Sequence, residues 1–153
     1  MPATIAKHPM HAMFVVFPIG LWIFSLVCDL VFLYGGNSSL WRDMAFYTMA
    51  GGWIGALAAA LPGFIDYLAM STGAAKRTAT AHMTLNLLVV ILYGVNLWMR
   101  SAGAAVGGWP VVLSVFAVLV LAVSGWLGGE LVYVHGVGVV QKSHPARETR
   151  RVA

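Results

Sequence analysis

The sequence predicts an all-α integral membrane protein, a four-helix transmembrane bundle of up-down topology. Three observations carry that prediction. Hydrophobic residues fill 60% of the 153 positions and charged residues only 9%. A soluble domain carries about 25% charged residues, so this chain has too few to cover a water-facing surface. The mean hydropathy is +0.84. The few charges, finally, fall between long uncharged runs. Together these exclude a soluble globular enzyme, a disordered tail and a coiled coil. Backbone groups in lipid must be satisfied within each segment, and strand-type alternation is absent, so the runs are helices.

A span needs roughly 20 apolar residues, and four segments qualify. The first covers about 11–34: Ala12 to Cys28 is uncharged, and the apolar pattern runs past Asp29 to Tyr34. It is too long for a signal peptide and lacks a convincing small-x-small cleavage site. Gly35-Gly36-Asn37-Ser38-Ser39 then reads as a turn. The second span covers about 44–69, uncharged from Met44 to Ile65 and ending around Pro62-Gly63 and Asp66. A polar loop, Ser71 to Thr80, carries Lys76 and Arg77. The third covers about 81–100, uncharged from Met83 to Met99 and closed by Arg100. After a Gly/Ala turn the fourth covers about 109–134, with Glu130 and His135 at its end. Trp41, Trp53, Trp98 and Trp109 lie near span ends, where interface anchors belong. The four spans form one domain, 1–140, and residues 141–153 a basic tail.

The net charge is +4. The nine Lys and Arg residues lie in short segments at the ends of apolar runs, as orientation signals do rather than a nucleic-acid face. With four spans both termini share a side. That side carries Lys7, Lys76, Arg77, Lys142, Arg147, Arg150 and Arg151, and the other carries Arg42 and Arg100. The bias predicts that both termini are cytoplasmic. The single cysteine, Cys28, lies in an apolar run and forms no intramolecular disulfide.

Ionisable residues in spans are costly and mark function. His8 and His11 open span one, Asp66 closes span two, His82 opens span three, and Glu130 and His135 close span four, all at the cytoplasmic end. His144, in the tail, is on the same side. Helical stripes bring polar and small residues inward: His11, Pro18, Ser25 and Asp29; Gly52, Gly55, Ala59, Gly63 and Asp66; His82, Asn86 and Tyr93, with Asn96 nearby; Ser114, Leu121, Ser124, Gly128 and His135. Small residues at such spacing let helices approach closely. Asp29, toward the far end, is expected to pair with Arg42 or Arg100. A weak repeat is suggested by the similar distances from His11 to Asp66, 55 positions, and from His82 to His135, 53 positions, as in two parallel hairpins related about the membrane normal.

Neutral imidazole is the commonest protein metal ligand. Two histidines on facing helices can hold a haem iron axially. His82 and His135 are the first candidates, then His11 and His8. Gly128 would give clearance, and Lys76, Arg77 or Lys142 would pair with the propionates. Asp66, Glu130, Asn86 and Tyr133 would stand behind the ligands. The function expected is b-type haem binding and electron transfer with a membrane quinone or a protein partner. The alternative is an iron or zinc ion held by His11, His82 and His135 with Asp66 or Glu130; a small transporter or structural subunit is the third reading. Homo-oligomers are compatible with all three. The scattered methionines form no copper-type cluster, and no phosphate loop, nucleophile elbow, zinc-protease motif or paired Cys motif is present.

His8-Pro9-Met10-His11 running into Phe17-Pro18, then Gly63-Phe64-Ile65-Asp66, His82 with Asn86, and Gly128-Gly129-Glu130-Leu131-Val132-Tyr133-Val134-His135-Gly136 resemble a family of small bacterial four-helix membrane proteins, domain of unknown function 2231. The likeness spans nearly the whole chain. It brings no established activity. Some members resemble partners of Rieske-type iron–sulfur proteins, which implies redox chemistry and an iron–sulfur protein as a partner; this chain itself has no such domain. The resemblance supports the histidine positions as the site and leaves the cofactor open.

Overall fold

A computed structural model describes residues 4, 5 and 8–139. The basic tail 141–153, with Lys142 and His144, lies outside the described residues. A two-residue antiparallel ladder, β1 (Thr4–Ile5) with β2 (His8–Pro9), precedes the helices. Then come α1 (Met10–Phe14), α2 (Val16–Tyr34), α3 (Ser39–Ala69), α4 (Ala74–Ser101) and α5 (Trp109–Tyr133). Counting α1 and α2 as one broken span, four helices are long and apolar enough to cross a membrane. The molecule is a four-helix transmembrane bundle.

The first span breaks at Val15 for a local reason. Pro18 has no N–H for the Phe14 carbonyl, and its ring crowds that carbonyl. The bonds on either side persist, Val15 N–H to His11 O at 3.0 Å and Ile19 N–H to Val15 O at 3.3 Å. After α2 the chain reverses through Gly36 and Asn37, both at positive φ (101° and 56°), where glycine and asparagine are tolerated best. Helices α3 and α4 begin several residues earlier than the apolar runs predict. Ser39-Leu40-Trp41-Arg42-Asp43 and Ala74-Ala75-Lys76-Arg77-Thr78 are polar yet helical. Hydropathy marks the apolar part of each span, and the helices continue past it.

α2 packs on α3 and α4 on α5 as two helical hairpins, and further contacts join α3 to α4 and α2 to α5. The order around the bundle is therefore α2, α3, α4, α5, with α2 and α4 on one diagonal. They meet through large side chains. Trp22 stacks on Tyr93, ring centroids 4.3 Å apart and planes 11° from parallel, inside a core that includes Met49, Val89, Ala117 and Leu121. The stripes read from the sequence are the buried ones: Pro18, Ser25 and Asp29; Gly52 and Ala59; Tyr93 and Asn96; Ser114, Leu121 and Ser124. Phe17, Ile54, Leu61, Leu119 and Trp126 point outward, as residues facing acyl chains do.

The hairpins are built on one plan. Ser25 Oγ donates to Ala45 O at 2.7 Å, and Asn96 Nδ2 donates to Pro110 O at 2.7 Å. Ser25 and Asn96 are 71 positions apart, Ala45 and Pro110 are 65 apart. The 71-position offset also relates Trp22 to Tyr93 and Asp29 to Arg100, whose separation in sequence is 71. Equivalent residues thus meet each other on a pseudo-twofold axis along the bundle.

Candidate functional site

The two ends of that axis hold two different constellations. At the end where α2 and α4 finish, Arg100 forks onto Asp29. Nη1 donates to Oδ1 at 2.8 Å and Nη2 to Oδ2 at 2.6 Å, with the side chains 4% and 0% exposed. Arg100 Nε donates to Asn96 Oδ1 at 2.8 Å, and Asn96 Nδ2 reaches Ser114 Oγ at 2.9 Å. The expected partner for Asp29 is found; Arg42 instead bonds its exposed neighbour Asp43. Opposite charges at equivalent positions solve an electrostatic problem, since two like charges on the axis would repel in a low-dielectric core.

At the other end the equivalent residues are His11 and His82, again 71 positions apart. Their rings stand 6.2 Å apart between centroids, perpendicular at 89°. His11 Nδ1 lies 2.8 Å from Ala59 O, and His82 Nδ1 lies 2.8 Å from Ser124 O. A carbonyl only accepts, so each Nδ1 carries a proton, and in the neutral imidazole Nε2 is then the atom with the lone pair. Ala59 and Ser124 show the 65-position offset of the second helix in each hairpin.

One turn beyond each carbonyl is a glycine. A Cβ at Gly63 would lie 2.6 Å from His11 Nδ1, and one at Gly128 would lie 3.1 Å from His82 Cε1. The flat ring beside Gly128 is therefore the His82 imidazole itself, and Gly63 seats His11 in the same way. Asn86, one turn along α4, places Nδ2 3.0 Å from His82 Nε2 and 3.0 Å from His82 O.

The other expected site residues divide. His135 Nε2 is 3.5 Å from Thr78 Oγ1 and 3.8 Å from Glu130 Oε1, a rim contact between α4 and the end of α5. Tyr133 is exposed. Asp66, on the last turn of α3, has an interaction of its own. The His8 side chain lies outside the described residues. Lys76 donates to Tyr67 O and sits over the Tyr67 ring, 3.4 Å from its centroid. Among the described residues no three His, Cys, Asp or Glu side chains gather closely enough to hold a metal ion.

Residue-type reasoning picked out Gly128 for clearance and set Gly63 on an inward stripe, but it missed the acceptors. Ala59 acts through its backbone, which no side-chain pattern reports. The repeat register suggested by Asp66 and His135 is also wrong. The matched pair is Gly63 with Gly128, 65 positions apart, and the signal available was that both glycines lie on the inward stripes.

No curated protein and no solved structure matches this chain. The family model that does match, over residues 7–141, is described as a predicted membrane protein, and it agrees with the four spans and with a length of chain that includes both histidine–glycine pairs: the chain belongs to the membrane protein family known as domain of unknown function 2231.

Proposed function

We propose that this protein is a membrane-embedded redox protein that holds one b-type haem through His11 and His82 and exchanges electrons with a quinone or a protein partner. The observation that carries the reading is the pair of perpendicular imidazoles on the bundle axis, 6.2 Å apart, each with Nδ1 tied to a backbone carbonyl. Two imidazoles on opposite sides of one metal have ring centres roughly 6 Å apart, given metal–nitrogen bonds of about 2 Å. An Nδ1–H bond to a carbonyl is the usual orienting contact of a ligating histidine, and it makes Nε2 more basic. Haem, when bound, supplies one-electron chemistry tuned by its axial ligands and surroundings.

The chain's own residues do the rest. Ala59 and Ser124 set the tautomers, and Gly63 and Gly128 let the rings lie against the helices. Arg77, at the same end on α4, is the cation for a propionate, since Lys76 is committed to Tyr67. In this reading the end lies, with both termini, on the cytoplasmic side of a bacterial inner membrane, and the Lys and Arg bias supports that orientation. The test is a reduced-minus-oxidised visible spectrum of protein purified from haem-replete cells. A split α-band region and a Soret shift are expected, both lost in His11→Ala and in His82→Ala and kept in His135→Ala. A colourless wild-type preparation would overturn the reading.

A further inference from the structure

Apart from the Ser124 hydroxyl, which lies 3.1 Å from His82 Nδ1 and 3.3 Å from His82 O where Ala59 offers no counterpart to His11, the two histidines differ in one contact, at Nε2. The position one turn after His82 is Asn86, and the position one turn after His11 is Val15. Asn86 Nδ2 lies 3.0 Å from the His82 carbonyl, which can only accept, so that atom is the amide NH2. The same nitrogen is 3.0 Å from His82 Nε2. With Nδ1–H given to Ser124 O at 2.8 Å, Nε2 is the acceptor of that second bond. Asn86 therefore bonds to the atom that would ligate. Valine has no donor to offer His11. Because the helix fixes the spacing, Asn86 needs no rearrangement to recapture His82 Nε2 whenever it is released.

We propose that Asn86 makes His82 the releasable axial ligand and leaves His11 the fixed one, so that the site accepts a small diatomic donor on the His82 side. This rests on the haem reading above and assigns an asymmetry within it. An incoming ligand would release His82 to Asn86, with no electron or proton changing hands. Asn86 is a positioning residue, acting through His82.

The experiment is a carbon monoxide titration of the dithionite-reduced protein, followed by the Soret band, with the resting spin state read by electron paramagnetic resonance. Wild type is expected to bind carbon monoxide. Asn86→Val, which copies the His11 side, is expected to bind it roughly fivefold more weakly and to be more fully low-spin, since about one hydrogen bond's worth of competition is gone. The reciprocal Val15→Asn, which places a donor beside His11, is expected to raise the affinity and the high-spin fraction. Unchanged affinity in both variants, or tighter binding in Asn86→Val, overturns the inference while haem binding stands. A wild type without a Soret band overturns the haem reading and this inference with it.

Discussion

The hairpin of α1, α2 and α3 and the hairpin of α4 and α5 hold themselves together by the same bonds and differ where they face each other. Within each, a histidine and a second polar residue 14 positions later donate to carbonyls of the partner helix: His11 and Ser25 on one side, His82 and Asn96 on the other. On the axis His11 meets its like in His82, but the other two pairs diverge into Trp22 against Tyr93 and Asp29 against Arg100. Contacts inside a hairpin can be duplicated without conflict. Buried charges on the axis cannot, because a residue there meets its own equivalent and must suit it in size and charge. Trp22 even requires Gly52, where a Cβ would lie 2.7 Å from Trp22 Cδ1, while the equivalent position beside the smaller Tyr93 is Ala117.

The strongest way to break this arrangement is to make the axis symmetric in charge. Arg100→Asp sets two carboxylates face to face. Removing one partner of a buried pair already costs about 3–5 kcal/mol, so this variant is expected to yield no folded protein in detergent. The double exchange, Asp29→Arg with Arg100→Asp, is expected to recover part of the yield and of the thermal midpoint. Failure of the exchange to improve on the single variant would show that Asn96 and Tyr93, rather than charge complementarity, dictate the order.

The glycine seats give a graded comparison between hairpins. Overpacking costs about 1–3 kcal/mol. Gly63→Ala, with a 2.6 Å approach, is expected at the upper end of that range, and Gly128→Ala, at 3.1 Å, at the lower. Thermal unfolding should follow that order. Smaller still is Ser25→Ala, which removes one buried hydrogen bond and is expected to cost about 1 kcal/mol with the visible spectrum unchanged. The smallest effect belongs to His135→Ala. Its contacts are long and partly exposed, so a loss below about 0.5 kcal/mol is expected in the same unfolding assay.

Much of this was legible in the sequence because lipid imposes a strong pattern. Charge-free runs marked the spans, and period-3.6 stripes marked the faces that carry Ser25, Asp29, Tyr93, Asn96, Ser114 and Ser124 inward. Depth and face follow from periodicity on a single helix. The pairing of His82 with His11 rather than His135 does not, because it depends on which helix stands on the diagonal. The break at Val15 was written in Pro18, but a proline in a span is as often tolerated as disruptive. The acceptors at Ala59 and Ser124 were hidden for a simpler reason, that every residue has a carbonyl.

That last point has a consequence for how the chain can change over evolutionary time. The carbonyls that meet His11 and His82 Nδ1 belong to the main chain, so substitution at residue 59 or 124 leaves those two acceptors in place. What would undo them is movement. Sliding a helix by one residue is a 1.5 Å displacement, more than a 2.8 Å hydrogen bond tolerates. The paired imidazoles therefore act as a vernier between neighbouring rods, indifferent to much mutational drift and intolerant of slippage.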